Sequence, residues 1–375
     1  MIHCDALIVG GGPAGLAAAI ALRQKGVDVV VAEALSPPID KACGEGLMPD
    51  SHEALEKLGV VLGPEDGHCF EGIAFIAPPL CAVAPFRGRP GLGIRRLRLH
   101  SRLADRCREL GVRLHWGSGV AVRRGEPVLV QGESCRYRYL IGADGQFSRV
   151  RAWSGLERGK VLSKRFGTRR HFRVEPWSRM VEVHWGDCGQ AYVTPIGPEE
   201  VCIATVSRSP SARMDEVLAS LPELRRHIEG MPAVSALRGA ATTTRRLSRV
   251  ATANVALVGD ASASVDAITG EGLALGFRQA SLLAEAVEAG ALHLYSADHP
   301  SIVRLPQAMS RLLLCLDRWP SLRHRALSVL AQEPETFPRM LSMHLAQESM
   351  SKFMLRNGTQ LAWRLLTVAP RSTAY

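Results

Sequence analysis

The chain carries two hydrophobic rhythms. Short, nearly continuous apolar runs recur, each ending in glycine, while other stretches alternate apolar and polar residues one by one. The first run, residues 5–9, ends in Gly10-Gly11-Gly12-Pro13-Ala14-Gly15 and passes into an alanine- and leucine-rich stretch at 16–23. That order predicts a buried strand, a tight turn and a helix closed by Gly26. Residues 27–32 form a second apolar strand closing on Glu33. The pattern returns at 139–141, followed by Gly142-Ala143-Asp144-Gly145, and again at 254–258, followed by Gly259-Asp260-Ala261. After the latter, a loop reaches Thr269-Gly270-Glu271-Gly272-Leu273 and a long helix runs through Val287. Residues 96–103 predict a further helix, and 111–114 follow it. Residues 181–185, 190–195 and 200–206 are β-rich stretches between glycine and proline turns, which predict an antiparallel sheet. From residue 300 the spacing is helical, at 302–316, 321–330 and 337–366, with a break at Asn357-Gly358.

The glycine spacing has a chemical reading. Gly10 permits the turn, Gly12 lets a pyrophosphate approach the backbone, and Gly15 lets helix and strand pack closely, while the helix N-terminus offers unpaired N–H groups to phosphates. Glu33, 23 residues after Gly10, can accept from ribose hydroxyls. Taken singly, Asp144 and Asp260 read equally well as helix caps or turn formers.

Jointly, three motifs resemble those of the single-component FAD-dependent monooxygenases of the aromatic and phenolic hydroxylase type. The geranylgeranyl reductases and flavin-dependent halogenases are their relatives. The motifs are Gly10 to Gly15, Gly142-Ala143-Asp144-Gly145 with Ser148 and Arg151, and Gly259-Asp260 with Gly270 and Gly272; they span residues 5 to 287. The resemblance implies an α/β fold in which a Rossmann-like FAD-binding domain of the hydroxylase type (1–71, 95–154 and 246–300) interleaves with an antiparallel β-sheet substrate domain (72–94 and 155–245). A C-terminal helical region (301–375) follows.

By the same resemblance FAD is held by Gly10, Gly12, Pro13, Ala14, Gly15, Glu33, Ala34, Asp144, Gly259 and Asp260, with Asp260 accepting from a ribityl hydroxyl. Gly270, Gly272 and Leu273 start a helix whose positive end faces the flavin ring. Arg96 matches the family's phosphate-binding arginine, with Arg95 and Arg98 as competitors. The segment Lys41-Ala42-Cys43-Gly44-Glu45-Gly46 is similar to a loop of the geranylgeranyl reductases beside the flavin, which brings Cys43 and Gly44 to the cofactor. Candidate catalytic residues are Glu45 in that loop, His184 as a base on the sheet, and Asp266 as an acid in the third motif. The alternative for His184 is an inert strand residue, and for Asp266 a loop aspartate bonding its own backbone.

The implied activity is monooxygenation of an apolar, aromatic or phenolic substrate, a lipid or a natural product, through a flavin C4a-hydroperoxide formed with O₂ after reduction by NADPH or NADH. No second GxGxxG lies between strand and helix, which suits a nicotinamide bound transiently and equally a separate reductase. The third motif lacks the hydroxylases' histidine and proline, having Ala263 and Ala267 there, and its Thr-Gly-Glu-Gly ending is closer to the geranylgeranyl reductases. Saturation of an isoprenoid double bond is therefore the first alternative. A non-catalytic flavin-binding protein is the second. Halogenation is disfavoured, because no Trp-x-Trp-x-Ile-Pro occurs between 155 and 245.

Composition narrows the partners. The chain has 375 residues, 46 Lys plus Arg against 36 Asp plus Glu, and a net charge of +10, with the arginines scattered and aromatics at 5%. Without a basic block or interleaved rings, a nucleic-acid surface is not expected. An anionic cofactor, an acidic substrate or peripheral contact with an anionic membrane surface suits the charge better. No uncharged apolar run reaches 18 residues, and the first residues lack the pattern of a secretory leader, so a cytoplasmic protein is expected. Nine cysteines without CxxC spacing predict reduced thiols and no metal site. Met340, Met343, Met350 and Met354 share one helical face, which suits core packing, an adaptable wall for a long apolar substrate, or an interfacial helix.

Overall fold

In the computed structural model, which describes residues 1–122, 126–345 and 347, the first apolar run is the strand Ile2–Val9. It pairs in parallel with Glu133–Gly142 on one side and Val29–Ala32 on the other. Arg113–His115 extends the sheet past Val29–Ala32, and Val255–Leu257 pairs in parallel with Glu133–Gly142. Leu7 and Ile8 point to opposite faces and both are fully buried, which is why this strand reads as an unbroken apolar run. The three strands that precede a glycine motif therefore lie side by side, and their carboxyl ends open along one edge, where open parallel sheets bind ligands.

The helix Pro13–Gln24 packs against Gly272–Glu288. A Cβ on Gly259 or Gly276 would come within 2.7 or 3.2 Å of the Ala14 Cβ, so small residues let these elements approach.

A second sheet of seven strands runs Arg238–Leu247, Gly159–Arg173, Glu200–Ser207, Gln190–Gly197, Met180–Trp185, Gly72–Ala77, Leu80–Pro85. It departs from the expected antiparallel sheet at one pair: Gly72–Ala77 runs parallel to Met180–Trp185. The two strands belong to distant segments joined by a long crossover, which permits parallel pairing where a hairpin would not. Gly91–Gly93 stays out of this sheet and pairs with Gly46–Leu47 and His68–Phe70.

The C-terminal helices are Leu292–Arg318, Pro320–Gln332 and Thr336–His344. The first starts well before residue 302 and continues through Pro300 and Pro306. Burial of Tyr295, Val303, Met309 and Leu313 outweighs the backbone bonds those prolines remove. Met343 packs on Met309, with Met340 partly buried beside them. Met350, Met354 and the break at Asn357-Gly358 lie outside the described residues. Among the described residues, no helix is long and apolar enough to cross a membrane.

Candidate active site

A cavity of about 860 Å³ opens at the carboxyl edge of the parallel sheet and continues beneath the second sheet; all three glycine motifs line it. Their convergence is steric. Gly10 has φ +113°, and a Cβ there would lie 2.4 Å from the Ala143 carbonyl oxygen of the second motif. A Cβ on Gly15 would meet the Gly10 oxygen at 1.9 Å, whereas one on Gly12 would meet nothing within 4 Å. Gly12 thus leaves open space where a phosphate can approach, and the helix it caps, starting at Pro13 and Ala14, carries no side-chain cap on its N–H groups. The Glu33 carboxylate accepts from Gly11 N–H at 2.7 Å and from Leu35 N–H at 2.9 Å. Those bonds fix it at the cavity wall beside Ala34.

The three candidate arginines separate cleanly. Arg95 pairs with Glu200 and bonds His171 Nδ1 at 3.0 Å; Arg98 pairs with Asp66 at 2.7 Å. Arg96 lines the cavity, and its buried Nε has no partner among the described residues. It is the guanidinium of the three that is available to a phosphate.

The two aspartates also differ. Asp144 Oδ2 accepts from Arg149 N–H at 2.7 Å and Val150 N–H at 3.1 Å, and Oδ1 from the Ser148 hydroxyl at 2.5 Å. Its carboxylate is engaged in capping the helix Arg149–Trp153, so it shapes the cavity wall through the turn it holds. Asp260 keeps a half-exposed carboxylate with one distant contact, Lys41 Nζ at 3.5 Å, and is free to accept from a hydroxyl. Its loop is positioned from behind: Gly259 N–H donates to Gln279 Oε1 at 2.6 Å, and Gln279 Nε2 lies 3.2 Å from His299 Nε2. Burial lowers His299 to about 4, so at neutral pH its ring nitrogen can accept.

The loop at Cys43, Gly44 and Glu45 lines the cavity, tied to the second sheet by Thr194 Oγ1, which donates to the Gly44 carbonyl at 2.7 Å. Glu45 has φ +59°, uncommon for a residue with a side chain. Its Oε1 accepts from Arg96 N–H at 3.0 Å and its Oε2 lies 2.6 Å from His171 Nε2. Arginines only donate, and both Arg95 and Arg169 face His171 Nδ1, at 3.0 and 3.4 Å. Nδ1 must therefore accept, and Nε2 carries the hydrogen given to Glu45. With both oxygens engaged, the geometry makes Glu45 a positioning residue rather than a free acid or base. Glu45, His171 and Cys202 bring one ligand atom each within 4.8 Å of one another, but the two guanidiniums beside them already supply positive charge.

Two further candidates are placed differently from the sequence expectation. Asp266 lines the cavity yet is fully buried, bonded by both oxygens to Arg165 and accepting from Ile268 N–H at 3.1 Å; it is an ion-pair anchor. His184 sits on Met180–Trp185, where Val181 and Val183 line the cavity. Side chains alternate along a strand, so His184 points away, bonded to Glu182 at 2.8 Å.

Two residues to which the sequence assigned no role meet near the apolar end of the cavity, His344 on its wall and Glu271 buried behind it. Glu271 occupies the residue before Gly272–Glu288, with its buried side chain bonding none of that helix's N–H groups, behind the lining residues Gly270, Gly272 and Leu273. Burial pushes its carboxyl up to about 8, only partly offset by Arg278. His344, on the last described helix, lines the cavity 3.4 Å from Glu271, and burial lowers it from the ordinary histidine value. Glu271 lies inside the third motif, so its position was legible; His344 directly follows Met343 of the methionine face, which offered a substrate wall as one reading but gave this histidine no role.

The profile of the FAD binding domain family matches residues 3–290. The menaquinone reductase of Mycolicibacterium smegmatis is 28% identical over 342 residues, 80% of this chain and 80% of that protein. The rifampicin monooxygenase of Streptomyces venezuelae is 32% identical over 164 residues, 40% of this chain and 34% of that protein. In fold, the chain resembles the p-nitrophenol 4-monooxygenase of Pseudomonas putida with a TM-score of 0.77 at 20% identity, over 92% of this chain and 98% of that one. The Arg96 Nε, without a partner among the described residues, the open face of Gly12 and the half-exposed carboxylate of Asp260, held only by Lys41 at 3.5 Å, fit a dinucleotide in the cavity. The chain belongs to the FAD binding domain family, as a flavin-dependent oxidoreductase of the class that holds the single-component monooxygenases and their reductase relatives.

Proposed function

We propose that the protein is a monooxygenase that transfers one oxygen atom of O₂ to an apolar aromatic substrate, a phenolic lipid or natural product. The observation that carries this reading is the continuity of the cavity. The part at the edge of the parallel sheet is built of glycine motifs with a guanidinium and a carboxylate, and the part beneath the second sheet includes Ile73, Phe75, Val183, Leu313, Phe337 and Leu341. An apolar ring can thus lie against the cofactor while water is kept out.

When bound, FAD supplies the redox chemistry, accepting electrons from NADPH or NADH and reacting with O₂. The protein's own residues do the rest. Arg96 and the N–H groups at the start of Pro13–Gln24 would hold the pyrophosphate, Glu33 and Asp260 would accept from ribose and ribityl hydroxyls, and the N-terminus of Gly272–Glu288 would offer partial positive charge to the ring. Glu45, fixed by His171, holds its loop in the conformation that lets Gly44 lie close to the cofactor.

The test is anaerobic reduction of the purified yellow protein with NADPH or NADH, then admission of O₂ with alkylphenols. Mass gain of one oxygen on the phenol supports the reading; NAD(P)H consumption that yields only hydrogen peroxide with every phenol would refute it. A second reading, a reductase that saturates an isoprenoid double bond, draws on the Thr269-Gly270-Glu271-Gly272 ending, and a reductive role is in keeping with the menaquinone reductase aligned over 80% of the chain. It predicts a gain of two hydrogens without O₂.

A further inference from the structure

The helix Leu292–Arg318 carries different chemistry on its two sides. Inward, Met309 and Leu313 are buried and line the apolar part of the cavity. Outward, the sequence repeats every seven residues as Arg304-Leu305, Arg311-Leu312 and Arg318-Trp319. Seven residues are close to two helical turns, so the three arginines fall within about 40° of one another on one side of the helix. Each is exposed, and none has an ion pair or hydrogen-bond partner among the described residues. Beside them Leu312 and Trp319 are 42% and 54% exposed, while Leu305 is half-buried against the Met309 and Met343 pair.

The helix itself supplies no neutralising charge to this side. Of its two aspartates, Asp317 points away, paired with Arg208 at 2.7 Å and 3.7 Å from Arg165. Asp298 stands about 120° round the helix from Arg304. Single exposed apolar residues are ordinary on a protein surface. Here two of them stand in register with unpaired guanidiniums along about 22 Å of helix, and the combination points to a partner. A nucleic acid would leave Leu312 without a role, and a second copy of the chain would bring like charges together across a two-fold axis. An anionic bilayer uses every part: guanidiniums meet the headgroups, tryptophan sits at their level, and leucine reaches the acyl boundary.

We propose that the outer side of Leu292–Arg318, from Arg304 to Trp319, docks on an anionic lipid surface. The contact is peripheral, through headgroups of net negative charge. It sets the helix that walls the apolar part of the cavity against the phase in which apolar substrates dissolve. This inference goes beyond the reaction and holds for a hydroxylase and a reductase alike, so its test reads no turnover.

The experiment sediments the FAD-loaded full chain with vesicles of phosphatidylcholine, and of phosphatidylcholine mixed with phosphatidylglycerol, at about 0.1 M salt. The protein is expected to go down with the anionic vesicles, to stay in solution with the neutral ones, and to be released at about 1 M salt. Arg304→Gln combined with Arg311→Gln and Arg318→Gln should lower the partition about a hundredfold, roughly fivefold per guanidinium. Leu312→Ser with Trp319→Ser should lower it about tenfold. Arg225→Gln with Arg226→Gln, exposed on Pro222–Ile228, removes charge elsewhere and should change it by about twofold at most. Flavin absorbance establishes that each variant is folded. Absence of the parent from the anionic pellet, an unchanged partition of the triple variant, or an equal loss in the Arg225 and Arg226 variant overturns the proposal. Tighter retention on heparin than on the vesicles, unaffected by Leu312→Ser with Trp319→Ser, makes the partner a soluble polyanion and overturns it as well.

Discussion

The pairing of Arg165 with Asp266 allows the sharpest test of how this site is held. The two side chains are 3% and 0% exposed, joined by Arg165 Nε bonds of 3.1 Å to both carboxylate oxygens and by a further bond from its terminal nitrogen. Removing one partner of a buried ion pair costs roughly 3–5 kcal/mol, because the other charge stays buried. Asp266→Ala should fall at the low end, about 3 kcal/mol, since Arg165 keeps Gln190 Oε1 at 3.0 Å and Asp317 at 3.7 Å. With an unfolding entropy of roughly 2.1 cal/mol/K per residue over 375 residues, that is a drop of about 4 °C in the melting temperature. Arg165→Met combined with Asp266→Leu should regain about half of the loss, because an apolar pair of similar volume leaves no unpaired charge. Melting curves of the FAD-loaded single and double variants make the comparison. If Asp266→Asn melts with the parent but loses turnover, the anchor argument is refuted and Asp266 is the acid that its place in the third motif suggested.

The other predictions follow from single geometries. Gly15→Ala places a Cβ 1.9 Å from the Gly10 oxygen; the strain of about 1–3 kcal/mol should yield a protein that loses its yellow colour on gel filtration. Arg96→Ala should weaken FAD binding by about tenfold to a hundredfold, the worth of a charged hydrogen bond, whereas Arg98→Ala, which only breaks the Asp66 pair, should leave the flavin titration unchanged. Burial holds Glu271 at about 8 against an ordinary 4.5, so the folded protein keeps a proton that the unfolded chain releases. That contribution is complete below about pH 4.5 and is lost as pH rises through 8. Urea unfolding at pH 5 and pH 8 should therefore show Glu271→Gln gaining a few kcal/mol on the parent as pH rises; a constant difference contradicts the burial argument. His184→Asn should leave turnover within about twofold, since the side chain bonds Glu182 away from the cavity.

The local signals were strong where the chemistry is local. The strand, glycine turn and helix at residues 5–23 could be read directly, because both faces of a parallel strand are buried and the phosphate approach demands glycine at fixed offsets. The same holds for Gly259-Asp260 and the helix after Gly270. Of the three arginines at 95, 96 and 98, the family pattern pointed to Arg96 but left Arg95 and Arg98 open. Their difference lies in Glu200 and Asp66, which reach them from other elements.

What the sequence by itself determined is thus the set of three glycine motifs and the two kinds of sheet, which depend on periodicity or on backbone freedom that neighbouring residues decide; the family came from the resemblance those motifs carry. Only the tertiary structure decided which polar groups are occupied. Glu45 and Asp266 are carboxylates in cavity-lining motifs, yet each meets partners distant in the chain, His171 with Arg96 and Arg165, whereas Asp144 caps the helix that directly follows it, a local role the sequence already offered. Asp260 keeps its carboxylate free, and His344 comes to the cavity from 75 residues beyond Thr269. Whether a buried group is spent or available depends on what packs against it, and that is set by long-range contact, which no local pattern records.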